Sequence, residues 1–407
     1  MSENDQVHTR LTHSIEVSCV GRSLGLLVAR RLAGQLPADI SAYDVGAIIQ
    51  AACVAHDIGN PPFGHAGEYA IRDWFRRDDH AYLLQNLSEA ERLDLRTFEG
   101  NAQGFRVVTQ LENHRFDGGM RLTYATLGTT LKYPWTGEHA SGSGKFSCYQ
   151  SEKHLLEETV AELGLPQLAP GKWARHPLSY LMEAADDISY CIADLEDAVD
   201  RRILSLSELQ QALRLADDGA YMAGLLAEAT ASGRGFFPHF RQQLTRDLVE
   251  LAAHTYVSEH PQILSGAYPQ ALLHGQAPAA RVLDTLKQVA RELVFMRPEV
   301  EALELEGYAA LRGVLSTYAC LLALPAAQFE RLLAGQGGSE LFFARRLFHR
   351  LSARHLKAYR LAVASRDPRF SDGAEQEWYF RVRLLLDYVS GMTDTYALEE
   401  FRLLSGI

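Results

Sequence analysis

Apolar residues recur at three- and four-residue steps along most of this chain, and this periodicity restricts the folds open to it. The pattern predicts long helices over residues 15–32, 42–58 and 177–204, with Thr12 as a cap before the first. Alternating runs of β-branched residues are scarce, and only residues 119–125 favour a small β-hairpin. The second half shows helical patterns separated by short glycine or proline breaks. The sequence therefore predicts an all-α, multi-helix protein.

The composition of the chain excludes several classes of protein. Its 407 residues are 47% hydrophobic and 22% charged, enough for a sizeable core and too apolar for a mainly disordered chain. No apolar run approaches the ~20 residues of a membrane helix, and the polar N-terminus lacks the apolar stretch of a secretory signal. With 51 acidic and 40 basic residues the net charge is −11, which disfavours non-specific nucleic-acid binding by the whole chain. A local basic pocket stays compatible with this charge.

The cysteines indicate a reducing compartment. The five cysteines are odd in number, lie far apart and form no CxxC pair. This pattern is typical of reduced thiols rather than of a disulfide framework or a zinc knuckle. We therefore expect a cytoplasmic protein.

Histidine and aspartate residues gather where the second helix should end. Residues 55–65 read AHDIGNPPFGH, and the glycine and two prolines should stop the helix just after His56 and Asp57. Adjacent imidazole and carboxylate groups at a helix end can reach one divalent first-row metal. Two ligands are too few, and His13 and Asp186 are the further candidates. Asp186 lies in an apolar helix stripe, where its charge needs compensation.

The spacing of these four residues resembles that of the HD-domain metal-dependent phosphohydrolases. Within that superfamily, several stretches resemble bacterial dGTP triphosphohydrolases (dGTPases). These stretches read RLTHSIEV, AHDIGNPPFGHAGE, FEGNAQGFR, LKYPW and LMEAADDISYCIADLEDAV, with DYVSGMTDTYALEEFR near the C-terminus. The resemblance implies an HD core over residues 1–205 and a helical region over 206–407, packed on the core within the same globular unit. It also implies one divalent metal, whether Mg, Mn or another first-row ion.

The start of the chain differs from that family. Its members normally carry a segment upstream of the helix with His13, which supplies part of the nucleotide pocket, including a glutamine near the sugar. This chain begins almost at that helix. The two alternatives are an incomplete pocket and a natural start that lies upstream of the recorded one.

Three residues of the predicted third helix should form one line. Asp186, Tyr190 and Asp194 are spaced i, i+4 and i+8, so they stack along one helix face. A nucleotide with its phosphate at the metal would then place its sugar over Tyr190 and its 3′-hydroxyl at Asp194. A ring packed against the 2′-carbon excludes a 2′-hydroxyl, which favours deoxyribose. The family resemblance implies the same roles for Tyr190 and Asp194.

Further residues are candidates for phosphate binding and proton transfer. Arg10 lies one turn before His13 and can grip a phosphate near the metal. Lys132 and Tyr133, in a turn-rich loop, match the phosphate contacts of the dGTPases. Glu68 follows His65 by three residues, so it can hydrogen-bond the imidazole and complete an acid/base pair.

Other polar residues permit two interpretations. Glu99 and Asn101 can either contribute to the site or simply cap the helix that begins near Asn101. Asp187 is expected to be a supporting or surface charge, because Asp186, and not Asp187, lies on the same helix face as Tyr190. A run of arginines at helical spacing is expected to be a solvated face rather than a nucleic-acid contact. Its members are Arg345, Arg346, Arg350 and Arg354.

Three functions are compatible with this sequence. The first is a dNTP triphosphohydrolase, dGTP-preferring, in which water linked to the metal attacks the α-phosphate and releases deoxynucleoside and inorganic triphosphate. The second is another HD phosphohydrolase, such as a nucleotidase, a cyclic-nucleotide phosphodiesterase or a guanosine tetraphosphate hydrolase. The third is a regulator that senses nucleotide or single-stranded DNA without turnover. The resemblance also implies a homo-oligomer, often a hexamer, with single-stranded DNA as a candidate effector and no membrane partner.

Overall fold

The computed structural model describes residues 9–112, 118–140, 142, 144–370 and 372–406, and these residues are mainly helical. In chain order the helices are α1 (Arg10–Arg31), α2 (Ala42–Ala55), α3 (Gly64–Arg76), α4 (Glu89–Arg96), α5 (Gly100–Arg106), α6 (Tyr124–Thr130), α7 (Lys153–Glu162), α8 (Ser179–Asp200), α9 (Leu206–Ala216), α10 (Ala220–Ala231), α11 (Phe236–Ser258), α12 (His260–Ser265), α13 (Pro278–Ala290), α14 (Pro298–Leu322), α15 (Ala326–Leu333), α16 (Phe342–Phe348), α17 (Ala353–Ala364), α18 (Gly373–Ser390) and α19 (Asp394–Ser405). Short 3₁₀ segments cover Asp78–Leu84, Gly137–His139, Gln150–Glu152 and Ser339–Leu341, and π segments cover Val107–Leu111 and Arg291–Phe295. The all-α prediction is confirmed.

The chain packs as two compact units, each assembled from three segments. The first unit comprises Met1–Asp57, Thr123–Pro134 and Leu155–Ala302, and the second comprises Ile58–Leu122, Trp135–His154 and Leu303–Ile407. The first unit contains helices from both sides of residue 205. The expected division into a core over 1–205 and a helical region over 206–407 stays a prediction.

The core of the first unit forms where α1 and α2 approach each other closely. A Cβ atom added at Gly21 would lie 2.5 Å from the Cys53 sulfur, and one at Gly25 would lie 2.6 Å from the Ile49 side chain. Glycine therefore allows the two backbones to come together. Around this contact, α8, α11 and α13 contribute fully buried apolar side chains such as Ile188. The close packing fixes α2, whose end carries the His-Asp pair, against α1, whose start carries His13.

The second unit combines an apolar core with a buried ion network. Its apolar cluster includes Trp74 and Tyr318, both fully buried. The buried Arg106 guanidinium donates to Glu152 at 2.6 Å and to Asp387 at 2.7 Å. Removal of one partner from such a network would leave a buried charge uncompensated, which is costly. The network therefore ties α5 and α18 to the short segment at Gln150–Glu152.

The small β-sheet lies elsewhere than the sequence predicts. Among the described residues of the 119–125 region, the chain turns and then enters α6, which Thr123 caps. Gly119 has a φ of 67°, and a Cβ there would lie 2.4 Å from the backbone of Thr109, so the segment bends too sharply for a strand. The two strands of the structure are instead β1 (Gln167–Ala169) and β2 (Lys172–Trp173), which pair antiparallel in the first unit. The hairpin expected near residue 119 is therefore wrong.

No single helix among the described residues is long and apolar enough to cross a membrane. By length and composition alone, α14 and α15 pass the test as a pair, but they are bent by 101° at their junction.

Candidate active site

His13 is placed by the first turn of α1. Thr9 caps this helix: its hydroxyl accepts a hydrogen bond from the Thr12 amide at 3.2 Å, and the Thr12 hydroxyl accepts one from the Thr9 amide at 2.7 Å. This reciprocal arrangement satisfies two amides that a helix start leaves without helical partners. The cap is thus Thr9 rather than the expected Thr12, and the helix begins at Arg10. Arg10 is exposed, and His13 follows it by one turn.

His56 lies at the end of α2 with its ring held in one orientation. Its Nδ1 lies 2.7 Å from the carbonyl oxygen of Cys53. Because a carbonyl oxygen can only accept, Nδ1 carries the proton of the neutral ring and Nε2 presents its lone pair. Nε2 is buried, and carboxylate oxygens of Asp57 and Asp186 each lie 3.4 Å from it. A buried acceptor of this kind fits a metal ligand.

The four predicted metal ligands meet in the first unit. Asp186 Oδ1 lies 3.2 Å from His13 Nε2 and 3.4 Å from His56 Nε2. Asp57 Oδ1 also lies 3.4 Å from His56 Nε2. One ligand atom from each of His13, His56 and Asp186 lies within 4.8 Å of the others. Two imidazoles and two carboxylates balance a divalent charge and suit a first-row ion, so these residues fit a mononuclear site.

The electrostatics of the cluster favour a cation. Burial opposes the charged form of His56, but the carboxylates of Asp186 and Asp57 outweigh it and raise the pKa of His56 to about 9. Burial also opposes the charged form of Asp186, but its hydrogen bonds with His13 and His56 hold its pKa well below the usual range. A metal ion that displaces the proton of His56 would take over the positive charge that the carboxylates stabilise.

The neighbouring carboxylate on α8 faces another partner. Asp187 Oδ1 lies 3.0 Å from the ammonium of Lys287, on α13. Burial raises the pKa of Asp187, and the Lys287 charge opposes that rise. The two adjacent aspartates of α8 therefore have different environments, and it is Asp186 that lies among the histidines.

The line predicted on α8 continues from the cluster through Tyr190. The Tyr190 ring lies 6.1 Å from the His13 ring, centroid to centroid, in an edge-to-face arrangement. Nearly half of Tyr190 (47%) is exposed, so its ring presents an accessible face. The surrounding protein desolvates its hydroxyl, which also bonds Asp194, and both effects raise its pKa above the usual value. The structure thus brings Asp186, Tyr190 and Asp194 into one line beside His13.

The predicted phosphate contact Lys132 is held by the mostly buried carboxylate of Glu183. Its ammonium lies 3.0 Å from Glu183 Oε1, and the other oxygen of Glu183 accepts from Arg175 at 2.8 Å. Burial opposes the charge of Glu183, but Arg175 and Lys132 outweigh it and lower its pKa. Tyr133, the next residue along the loop, is half-buried and lies within electrostatic range of Lys132. These residues belong to the first unit, as Arg10 does.

In the second unit, a strained turn sets the position of His65 at the start of α3. Phe63 has a φ of 62° and Gly64 a φ of 55°, two consecutive residues in the left-handed region. The non-glycine strain at Phe63 is offset by two contacts: its amide donates to Asp394 at 2.9 Å, and its ring packs on Gly307. A Cβ at Gly307 would lie 2.3 Å from that ring. His65 therefore emerges from a turn with little freedom to shift.

Glu68 is oriented by partners other than His65. The carboxylate is buried, with 4% of the residue exposed. Its Oε1 accepts from the Gly100 amide at 2.7 Å, and its Oε2 accepts from Arg72 at 3.0 Å. Within the described chain, no hydrogen bond joins Glu68 to His65, which is exposed. The expected contact between the two residues is therefore not formed here, and the acid/base role of the pair stays a prediction.

Glu99 and Asn101 form the helix cap that was one of their two interpretations. Glu99 precedes α5, and its Oε1 accepts from the Asn101 amide at 3.4 Å and from the Asn101 side chain at 2.6 Å. The buried Glu99 also pairs with Lys145, whose ammonium lies 3.0 Å from Oε2. The cap is confirmed, and a role for either residue in substrate binding stays a prediction.

Known proteins resemble this chain along its whole length. The family model described as "HD domain" matches residues 10–201, and the model "Phosphohydrolase-associated domain" matches residues 344–403. A "Deoxyguanosinetriphosphate triphosphohydrolase-like protein" of Pseudomonas aeruginosa (strain LESB58) is 43% identical over 414 residues, covering 100% of this chain and 87% of the relative. Proteins named "Deoxyguanosinetriphosphate triphosphohydrolase" from Cronobacter sakazakii and Klebsiella pneumoniae (strain 342) are 37% and 36% identical, each covering 100% of this chain and 89% of the relative. The chain belongs to the HD-domain dGTPase family. It is therefore a hydrolase, as the sequence predicted.

Four charged residues beside the candidates of this dGTPase-family chain were absent from the sequence-based set. They are Arg72 and Lys145, around Glu68 and Glu99, and Arg175 and Glu183, around Lys132. Local spacing could have indicated two of them, because Arg72 lies four residues after Glu68, and Glu183 lies three residues before a metal candidate. Lys145 and Arg175 meet their partners only through the fold, and no local pattern marks them.

Proposed function

We propose that this protein hydrolyses deoxynucleoside triphosphates, with dGTP preferred, to deoxynucleoside and inorganic triphosphate. The names of its relatives support the substrate class. The observation that carries the proposal is the line on α8 that starts in the His/Asp cluster at Asp186 and passes through Tyr190 to Asp194. A metal, an aromatic face and a carboxylate at one-turn spacing suit the phosphate, deoxyribose and 3′-hydroxyl of one nucleotide.

The metal would be held by His13, His56, Asp57 and Asp186. When bound, it supplies a nucleophilic water and draws electron density from the α-phosphate. His56 would bind through Nε2, because the Cys53 carbonyl occupies Nδ1. This fixed ring orientation aims Nε2 at the cluster before a metal arrives, which reduces the cost of assembly.

The sugar would be recognised by Tyr190 and Asp194. The hydrogen bond between the Tyr190 hydroxyl and Asp194 fixes the tilt of the exposed ring. A ring held in this way offers a flat surface to C2′ of a deoxyribose and collides with a 2′-hydroxyl. The carboxylate of Asp194 can accept from the 3′-hydroxyl, which every deoxynucleotide substrate carries. Discrimination would thus come from exclusion at C2′ combined with anchoring at C3′.

The triphosphate would be bound by Lys132, Tyr133 and Arg10. Lys132 is one-quarter exposed, so its ammonium can share its donors between Glu183 and a phosphate oxygen. Arg10, exposed at the start of α1, offers its planar fork of donors one turn from His13. These groups would hold negative charge on the leaving triphosphate as the P–O bond to the nucleoside breaks.

His65 and Glu68 are proposed as the acid/base unit. His65 would either remove a proton from the attacking water or donate one to the leaving 5′-oxygen. Glu68 is kept in place by the Gly100 amide and by Arg72, so it offers a rigid carboxylate one helical turn from His65. Glu99 and Asn101 would support the substrate from the start of α5.

The experiment that tests the proposal is a panel of the four dNTPs and four NTPs with Mn²⁺ or Mg²⁺, with release of inorganic triphosphate as the readout. We expect turnover of dNTPs, fastest for dGTP, with triphosphate as the phosphorus product. Asp186→Asn protein serves as the control for contaminating phosphatases. Preference for GTP, or release of monophosphate or pyrophosphate, would favour another HD phosphohydrolase. Tight dGTP binding without turnover would favour a nucleotide sensor.

The oligomeric state and the cellular location of the protein are proposed from the family resemblance. We expect a homo-oligomer, with a hexamer as the leading arrangement, and single-stranded DNA as an effector. A cytoplasmic location agrees with the free thiols of all five cysteines. Light scattering and dGTP turnover, each with and without single-stranded oligonucleotide, test these points. A monomeric mass and turnover indifferent to the oligonucleotide would contradict them.

A further inference from the structure

Glu183 links two cations on the face of α8 that carries the metal candidate. One oxygen pairs with Lys132 at 3.0 Å and the other accepts from Arg175 at 2.8 Å, while the carboxylate keeps only 16% of its surface exposed. The guanidinium of Arg175 is itself fixed, because it stacks 4.3 Å over the Tyr180 ring. The carboxylate is thus anchored on one side by a rigid partner and offers its other side to a flexible lysine.

This arrangement lies next to the His/Asp cluster. Glu183 precedes Asp186 by three residues, so the two side chains are neighbours on the helix surface. The charges of Lys132 and Asp186 act on each other's pKa, which places the ammonium within electrostatic range of the cluster. Lys132 comes from the loop after α6 and has no helical backbone of its own to direct its side chain.

We propose that Glu183 is a positioning residue that holds the Lys132 ammonium ready for the triphosphate of the substrate. The inference rests on the proposed function, in which Lys132 binds phosphate. A lysine has four rotatable carbon bonds, and a bound phosphate must otherwise restrict them all at the moment of binding. Glu183 restricts them beforehand and occupies one donor of three. Arg175 has no direct phosphate role in this scheme and keeps Glu183 in place.

The same contact keeps Lys132 charged. The groups that face its ammonium are Glu183, Tyr133 and Asp186, with Arg175 behind the carboxylate. Burial lowers the pKa of Lys132, but the interactions with Glu183, Tyr133 and Asp186 outweigh burial and raise the pKa above its ordinary value. Without the Glu183 charge, burial and the nearby guanidinium would push the pKa of Lys132 down. As the pH rises, the Lys132 ammonium of such a variant should lose its proton earlier. Substrate binding should therefore weaken at a lower pH than in the wild type.

The test uses Glu183→Gln, which keeps the shape and removes the charge. Its matched control is Glu196→Gln, which removes a salt bridge with Arg241 from the same helix. We expect Glu183→Gln to raise KM for dGTP by about 3- to 10-fold, the cost of ordering one long side chain, with kcat within about 2-fold. The basic limb of the kcat/KM profile should move to lower pH. In a Lys132→Met background, Glu183→Gln should leave KM unchanged within about 2-fold, because the positioned group is gone.

The results separate a positioning role from a structural one. A KM and pH profile equal to those of Glu196→Gln, or an equal KM effect with and without Lys132, would overturn the inference. Binding of inorganic tripolyphosphate to the Mn²⁺-loaded protein gives a readout that does not depend on turnover. If the wild type turns over no dNTP, the proposed function fails, and loss of tripolyphosphate affinity in Glu183→Gln still supports the positioning role. If Glu183→Gln does not fold, Glu183→Asp, which keeps the charge but shortens its reach, enters the same cycle, with the same expected rise in KM that depends on Lys132.

Discussion

Replacement of Asp186 by asparagine should remove most of the stabilisation that a bound metal gives the folded protein. In the structure the Asp186 carboxylate contacts both histidines of the cluster, so it is the residue that joins the ligands of α1 to those of α2. Loss of a charged ligand should weaken metal binding by at least about 100-fold, since changes to residues behind the ligands already cost 10- to 100-fold. The neighbouring Asp187→Asn variant is the control, because Asp187 pairs with Lys287 instead.

The size of the effect follows from linkage. A metal at 100 times its dissociation constant stabilises the folded state by about 2.7 kcal/mol. If the constant rises 100-fold in Asp186→Asn, the same metal concentration contributes only about 0.4 kcal/mol. The difference, about 2.3 kcal/mol, corresponds to about 5–9 °C in Tm for a unit of roughly 200 residues.

The assay is the shift of Tm on addition of Mn²⁺ to metal-free protein. Each variant is compared with its own metal-free form, because Asp186→Asn also removes the contacts with His13 and His56 and so lowers the starting stability. We expect a full shift in the wild type and in Asp187→Asn, and a residual shift of about 1–2 °C or less in Asp186→Asn. An equal shift in Asp186→Asn and wild type would refute the assignment of the site.

Three further predictions concern the sugar, the proton and the core. Tyr190→Ala should lower the ratio of kcat/KM for dGTP over GTP by roughly 10- to 100-fold. Tyr190→Phe keeps the ring but loses the hydroxyl bond to Asp194 that fixes its tilt, so it should lower the ratio less, and a ratio unchanged in Tyr190→Ala would remove the ring from sugar selection. His65→Ala should lower kcat by about 10²–10⁴-fold with unchanged metal content by elemental analysis, and near-normal turnover would show a structural role. Burial raises the pKa of Asp94 in the second unit to about 8. The folded state therefore holds a proton that the unfolded chain releases above about pH 4, so the free energy of unfolding should fall as pH rises from about 4 to 8, by up to about 1.4 kcal/mol per unit. Urea unfolding should show this slope reduced in Asp94→Asn, and parallel pH dependences in the two proteins would contradict it.

Local patterns were sufficient to predict the line on α8 and the place of His56 and Asp57 at a helix end. The helix period alone places Asp186, Tyr190 and Asp194 on one face. In the structure Tyr190 lies beside His13 and its hydroxyl bonds Asp194, as that arrangement requires. The break after α2 could be predicted from glycine and proline, so the position of His56 and Asp57 at a helix end followed. The grouping of His13 and Asp186 with His56 and Asp57 depended on the family resemblance, because no local rule specifies which helices pack together.

Contacts between segments that are distant in the sequence could not be predicted from it, for a physical reason. Lys132 meets Glu183 across 51 residues of sequence, and Lys145 meets Glu99 across 46. Such pairs depend on packing of α6 and α8, or of loops against α5, and periodicity carries no information on either. The contact expected between His65 and Glu68 illustrates the opposite error. Their spacing permits a hydrogen bond, but the Gly100 amide and Arg72, both supplied by the fold, orient the carboxylate elsewhere.

The partners of the acidic residues on α8 explain why one of them suits a metal. Glu183 and Asp187 are paired with arginine or lysine side chains, whose charge is permanent near neutral pH. A metal at either position would have to compete with a cation that cannot be removed. Asp186 is instead paired with His13 and His56, and the positive charge on His56 is a proton that a metal can displace while both imidazoles remain as ligands. Such an exchange would preserve the charge balance of the buried cluster, and for that reason Asp186 suits a metal better than Glu183 or Asp187 does.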